Sequence, residues 1–93
     1  MNVGILSLTL DVGDAMTLKD KRRLVKSLKD RLSHRFNISV AEVGSLDRIR
    51  TAELGVAMVS NDVQHVSAAL SQVVNYVQND SELVLEHYSI EVV

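Results

Sequence analysis

The apolar residues of this chain switch between a period of two and a period near 3.6 four times, and that succession limits the fold more than any other feature. In VGILSLTLDV, residues 3–12, Leu6, Leu8, Leu10 and Val12 share one side, while Ile5, Ser7, Thr9 and Asp11 share the other. Such alternation is that of a half-buried strand. From Thr17 the spacing becomes helical. Leu18, Val25, Leu28, Leu32 and Phe36 form one stripe with Leu24 at its edge, and Thr17 followed by Asp20 resembles a capping box. Phe36 and Asn37 are expected to end this helix. ISVAEVGS (38–45) and AELGVAMVS (52–60) read as two strands joined by the short polar LDRIRT, which predicts an antiparallel hairpin. Val63, Val66, Leu70, Val73, Val74 and Val77 then make the stripe of a second helix. Asn61, three residues before Gln64, stands as its cap, and Asn79 and Asp80 as its stop. Residues 83–93 close the chain as a fourth strand, with Tyr88, Ile90 and Val92 on one side and His87, Ser89 and Glu91 on the other.

The order β-α-β-β-α-β, with right-handed crossovers, predicts an α+β ferredoxin-like sandwich: a four-stranded antiparallel sheet with two helices on one face. Residues 1–93 are expected to form a single domain, burying roughly 60–65% of the unfolded chain's surface. No stretch has the composition of a linker or a low-complexity segment.

Charge divides the chain unevenly. Residues 17–36 hold eight basic residues against two acidic ones, Asp20 and Asp30, whereas the remainder holds Arg48 and Arg50 against ten acids. On a helical wheel Lys19, Arg22, Arg23, Lys26 and Lys29 fall in a band beside the apolar stripe, the arrangement a row of phosphates requires. The alternative is a solvated face balanced by neighbouring acids, such as Asp30 four residues after Lys26. Position favours binding, because positive charge in the first turn of a helix opposes the helix dipole by roughly 0.3–1 kcal/mol per residue. In the predicted topology Arg48 and Arg50 lie at the same end as this helix start. Backbone N–H groups there would add to the seven side chains in holding an anion. Lys21 points toward the core stripe instead, and a structural pairing with Asp11, Asp14 or Glu53 is expected for it.

The motifs TLKDKRRLVKSL (17–28), FNISVAEVG (36–44) and AELGVAMVSND (52–62) resemble the YlxP-like family of small bacterial proteins, a domain-of-unknown-function family. The resemblance spans almost the whole chain. It implies a ferredoxin-like fold in a bacterial cytoplasm. A link to translation is also implied, because members are often encoded beside ribosome-maturation and initiation factors. Thr17 stands where serine is usual, and Ile49 where an aromatic residue often follows the LD of the hairpin connection. The family supplies no catalytic residues to carry over.

Several function classes are disfavoured by what the residues lack. With no cysteine there is no disulfide, thiolate metal site or cysteine nucleophile. His34, His65 and His87 have no metal-ligand spacing, so neither metal nor cofactor is expected. No Gly-rich phosphate loop or nucleophile elbow occurs. The VGDAMT loop has no arginine and one glycine, unlike the phosphate cradle of acylphosphatases, which share the fold. A non-enzymatic cytoplasmic protein is therefore expected, without a membrane partner. The leading expectation is contact with ribosomal or ribosome-associated RNA through Lys19, Arg22, Arg23, Lys26, Lys29, Arg48 and Arg50. A second concerns the sheet face opposite the helices, where Ile5, Ser7, Thr9, Gly55, Ala57, His87 and Ser89 are expected. That face is almost free of aromatics, which disfavours base stacking on it, and its small residues suit sheet-to-sheet homodimerisation.

Overall fold

Strand β1 (Asn2–Asp11) is the spine of the sheet, because it is hydrogen-bonded along both edges. The computed structural model describes residues 1–93. After β1 come helix α1 (Leu18–Arg35), strands β2 (Ser39–Gly44) and β3 (Thr51–Ser60), helix α2 (Val63–Gln78) and strand β4 (Val84–Val92). The four strands form one antiparallel sheet in the order β2-β3-β1-β4. This is the ferredoxin-like βαββαβ arrangement predicted from the apolar periods.

Alternation in β1 decides which face the helices cover. Leu6, Leu8 and Leu10 are fully buried, whereas Ile5 before them and Ser7 between them face outward. Register carries the same polarity across to β3, where Ala52, Leu54, Val56 and Met58 are buried beside them. From above, α1 contributes Leu24, Val25, Leu28 and Leu32, and α2 contributes Val66, Leu70, Val73, Val74 and Val77. Each fully buried leucine or valine is worth about 1.5–3 kcal/mol. Leu24, at 6% the most exposed of the four buried apolar residues of α1, lies at the edge of the stripe, while Leu18 and Phe36 are only half-buried.

The helix ends follow local hydrogen bonding. Thr17 Oγ1 accepts from the Asp20 N–H, as expected for a capping residue. Asp20 reaches back to the N–H of Met16, so the reciprocal bond is made one residue before the cap. At α2 the cap is Asp62, not Asn61. Its Oδ1 accepts from the Gln64 N–H, and Ser60 Oγ in turn accepts from the Asp62 N–H, which holds Asp62 extended.

Gly4 shows how closely α2 lies on the sheet. A Cβ there would stand 2.3 Å from Val66 Cγ1 and 2.8 Å from Leu70 Cδ1. Val66 is β-branched and has little rotameric room to withdraw. Gly4→Ala is therefore expected to overpack the sheet–helix contact and to cost about 1–3 kcal/mol, measured as a lower urea midpoint with unchanged m-value.

Candidate functional site

The first turns of α1 and the connection between β2 and β3 are tied together by one buried cation. Lys21 is 1% exposed, an unusual position for a lysine. Its Nζ lies 2.9 Å from Glu42 Oε2 and donates to the carbonyl of Ser45 at 2.6 Å. The partner is thus Glu42, and not Asp11, Asp14 or Glu53. Glu42 sits at core-facing parity on β2, opposite Leu54, where the side chain of an edge strand meets α1. Glu42 Oε2 has no other hydrogen-bond partner and depends on the charge of Lys21.

Ser45 is the residue this arrangement holds. It is the only non-glycine residue with positive φ, at 56°, a left-handed conformation that costs an L-residue free energy. Its Oγ donates to Glu53 Oε2 at 2.7 Å, and its carbonyl also accepts from the N–H of Arg48 at 3.0 Å. The Arg50 carbonyl accepts from the Val12 N–H at 2.8 Å. The connection bearing Arg48 and Arg50 is consequently clamped at both ends. Ala15 and Met16, which lead into α1, line a shallow depression together with Asp47, Arg48, Ile49, Arg50 and Thr51. Residues expected to share one end of the sheet do share it.

The basic band is not uniform. Lys19, Arg22, Arg23, Arg48 and Arg50 are exposed, and Lys29 is half-buried. The ion pairs of the structure are Lys21–Glu42, Lys26–Asp30 and Arg31–Asp80, so none of those six residues has an acidic partner. Lys26 departs from the expectation. It donates to Asp30 Oδ2 at 2.7 Å, the i,i+4 pairing of a solvated face, and this bond holds the Asp30 carboxyl below its ordinary range. Around the unpaired cations stand exposed apolar side chains: Met16 at 73%, Leu46 at 57% and Ile49 at 39%.

At the other end of α1 lies a basic cluster outside the predicted band. Arg31 pairs with Asp80 at 2.9 Å and donates to Tyr76 Oη at 3.4 Å, while the Arg35 guanidinium lies 5.1 Å from the Tyr76 ring centroid. Phe36 meets the same ring edge-on at 6.1 Å. These contacts are inward and structural, for they join the C-terminal end of α1 to α2 and to the turn before β4. In the sequence the signal was the arginine pair at i,i+4, which an acid nearly fifty positions away did not reveal.

All seven residues expected on the open sheet face lie there. Ser7 registers with Gly55 and Ser89, Thr9 with His87, and Ile5 with Ala57. The face is less flat than expected, because β2 has an irregularity between Glu42 and Gly44 that places Val43 over Gly55. His34, His65 and His87 do not converge, and no group of three or more histidine, cysteine or carboxylate residues is placed to hold a metal ion. No helix is long and apolar enough to cross a membrane.

The structure therefore defines a class: a ferredoxin-like α+β protein with an uncompensated basic surface at the start of its first helix. Residues 3–90 match the family model described as "Protein of unknown function (DUF503)", and the chain belongs to that family. It is also similar to the uncharacterized protein YlxP of Bacillus subtilis (strain 168), with 27% identity over 81 residues, covering 87% of this chain and 88% of that protein.

Two predictions follow from the pairings. Lys21→Ala strands Glu42 and releases Ser45, at an expected cost of about 3–5 kcal/mol in chemical denaturation. The volume-conserving Lys21→Met with Glu42→Leu should recover most of that loss. Burial raises the pKa of Asp80, yet hydrogen bonds from the Glu82 N–H, Arg31 and the Leu83 N–H outweigh it and hold the carboxyl below its ordinary 3.8. Stability from this group is fully present above that unfolded value and is lost as pH falls through the lower folded value. Asp80→Asn should flatten the acid limb of the stability–pH curve. At neutral pH it should cost only about 1 kcal/mol, because Arg31 is 41% exposed and solvent screens the pair.

Proposed function

We propose that this protein binds RNA through the end of the molecule where α1 begins, most directly ribosomal or ribosome-associated RNA, and that it does so without catalysing a reaction. The observation that carries this reading is the set of unpaired cations. Lys19, Arg22 and Arg23 on α1, with Arg48 and Arg50 on the connection, have no acid within ion-pair distance although the rest of the chain is strongly acidic. Lys19 stands in the first turn of α1, where the helix dipole opposes positive charge, and the other four lie close by without an ion pair. A polyanion supplies what they lack, and release of its counterions supplies the free energy.

The buried Lys21 supports the same reading. By holding Ser45 it fixes the Arg48 and Arg50 segment against α1, so little ordering remains to be done on binding. Met16, Leu46 and Ile49 give unpaired bases an apolar surface beside the phosphate-binding side chains, in place of aromatic stacking on the sheet. The link to ribosomal RNA rests on the genomic setting implied by the family resemblance.

Co-sedimentation with ribosomal particles and anisotropy with labelled ribosomal RNA fragments test the reading. With about six phosphate contacts, affinity should fall by roughly two to three orders of magnitude as salt rises from about 50 to 200 mM. Arg22→Glu with Arg23→Glu should abolish binding. Lys26→Ala should weaken it much less than Arg22→Ala, because Asp30 already occupies Lys26. Affinity that does not respond to salt, or survives the double reversal, would overturn the proposal.

A further inference from the structure

The sheet face opposite the helices has a centre that is apolar, uncharged and uncovered. Ile5, Ala41, Val43, Gly55 and Ala57 line one shallow depression on it, and Val59 extends the patch along β3. Val43 is 65% exposed and Val59 59%, values that cost an isolated chain the hydration of large apolar side chains. Alternation from Ala41 places Val43 on the open face, and at the β2 irregularity its Cγ1 would stand 3.1 Å from a Cβ at position 55. Glycine at 55 lets Val43 sit close over β3, where a Cβ would oblige it to shift by a few tenths of an ångström.

Charge is held off this centre. The face carries no lysine or arginine: its ionisable groups are Glu53, Glu91 and His87, with Asp11 at the end of β1 and the exposed Glu86 at the irregularity of β4. Glu53 is engaged by the Ser45 hydroxyl, which directs its carboxylate toward the turn. Glu91 and His87 lie on the edge strand β4 and form a rim.

We infer that this face is the interface between two copies of the chain, with Val43, Gly55 and Ala57 at its centre. Three features select a second copy. A symmetric pair sets the same patch against itself, so charge at its centre would repel its own image; this centre carries none, and the acids of the face lie around it. The other broad surface, on α1, is predominantly basic and would repel itself. The area is adequate as well. The strands are ten, six, ten and nine residues long, and at about 3.3 Å per residue and about 4.8 Å between strands they present roughly 550 Å² per copy. Two copies would bury about 1,100 Å², just above the roughly 1,000 Å² that a specific interface should clear. An RNA partner finds no cation here, which separates this face from the proposed RNA surface.

Sedimentation equilibrium and light scattering on the full chain test the inference. The expected mass is twice the 10.3 kDa of the monomer, unchanged between about 50 mM and 500 mM salt, since apolar packing is not screened. Ala57→Glu and Val43→Glu, both at exposed positions, should each raise the dimer dissociation constant at least tenfold while circular dichroism stays unchanged. Arg22→Glu with Arg23→Glu should leave the mass at that of a dimer, whatever it does to RNA. A monomer at every concentration up to about 1 mM overturns the inference. So does a dimer indifferent to both open-face substitutions. Association that dissolves in high salt and on α1 reversal is charge-driven, places the contact elsewhere and overturns it too. RNA binding is read separately, so either proposal can fail alone.

Discussion

The ammonium group of Lys21 is the one charge this small core contains, and much of the local architecture depends on its being there. A buried ion pair seldom adds stability over an apolar pair of the same size, since desolvating the two charges costs about what their attraction returns. What Lys21 adds is position. Its flexible stem crosses the core from α1, and its head donates to a specific carbonyl, that of Ser45, at 2.6 Å. An apolar side chain would fill that space but could not choose between one turn conformation and another. The left-handed Ser45 is accordingly held from three directions, by Lys21, by Glu53 and by the Arg48 amide.

From this anchor the distribution of charge becomes intelligible. α1 faces the core with Leu24, Val25, Leu28 and Leu32 and faces solvent with cations, while α2 carries neither lysine nor arginine and meets the sheet through valine and leucine. The two helices have the same topological role and differ in what lies on their outer sides. Folding requires only the inner stripes. At the far end of α1 the cations are neutralised internally, Lys26 by Asp30 and Arg31 by Asp80. At the near end only the buried Lys21 is paired, with Glu42, while Lys19, Arg22 and Arg23 make no ion pair.

Legibility in the sequence followed the range of the interaction. The six elements, the open-face residues and the Thr17 cap were visible because each depends on periodicity or on contacts within four residues. Leu18 and Phe36, counted in the stripe, are only half-buried because a wheel describes one helix alone, whereas the sheet and α2 determine how far along α1 the buried stripe extends. Lys21 was legible as inward-pointing, yet its partner was not, since three acids lay at plausible strand positions and only the register of β2 brings Glu42 beneath it. Val43 was hidden for a related reason. A two-residue alternation through SVAEVG assigns Val43 to the same side as Ala41, but only the irregularity and the missing side chain at Gly55 create the apolar centre.

The two surfaces lie on opposite sides of the sheet, and this bears on how they would work together. Binding at the α1 end needs exposed cations, and pairing at the sheet needs an uncharged face, so neither requirement competes for the same residues. A face-to-face pair would carry two such basic ends, one on each copy. For a molecule whose single basic patch holds only about six cations, joining two patches in this way raises effective affinity without any new contact.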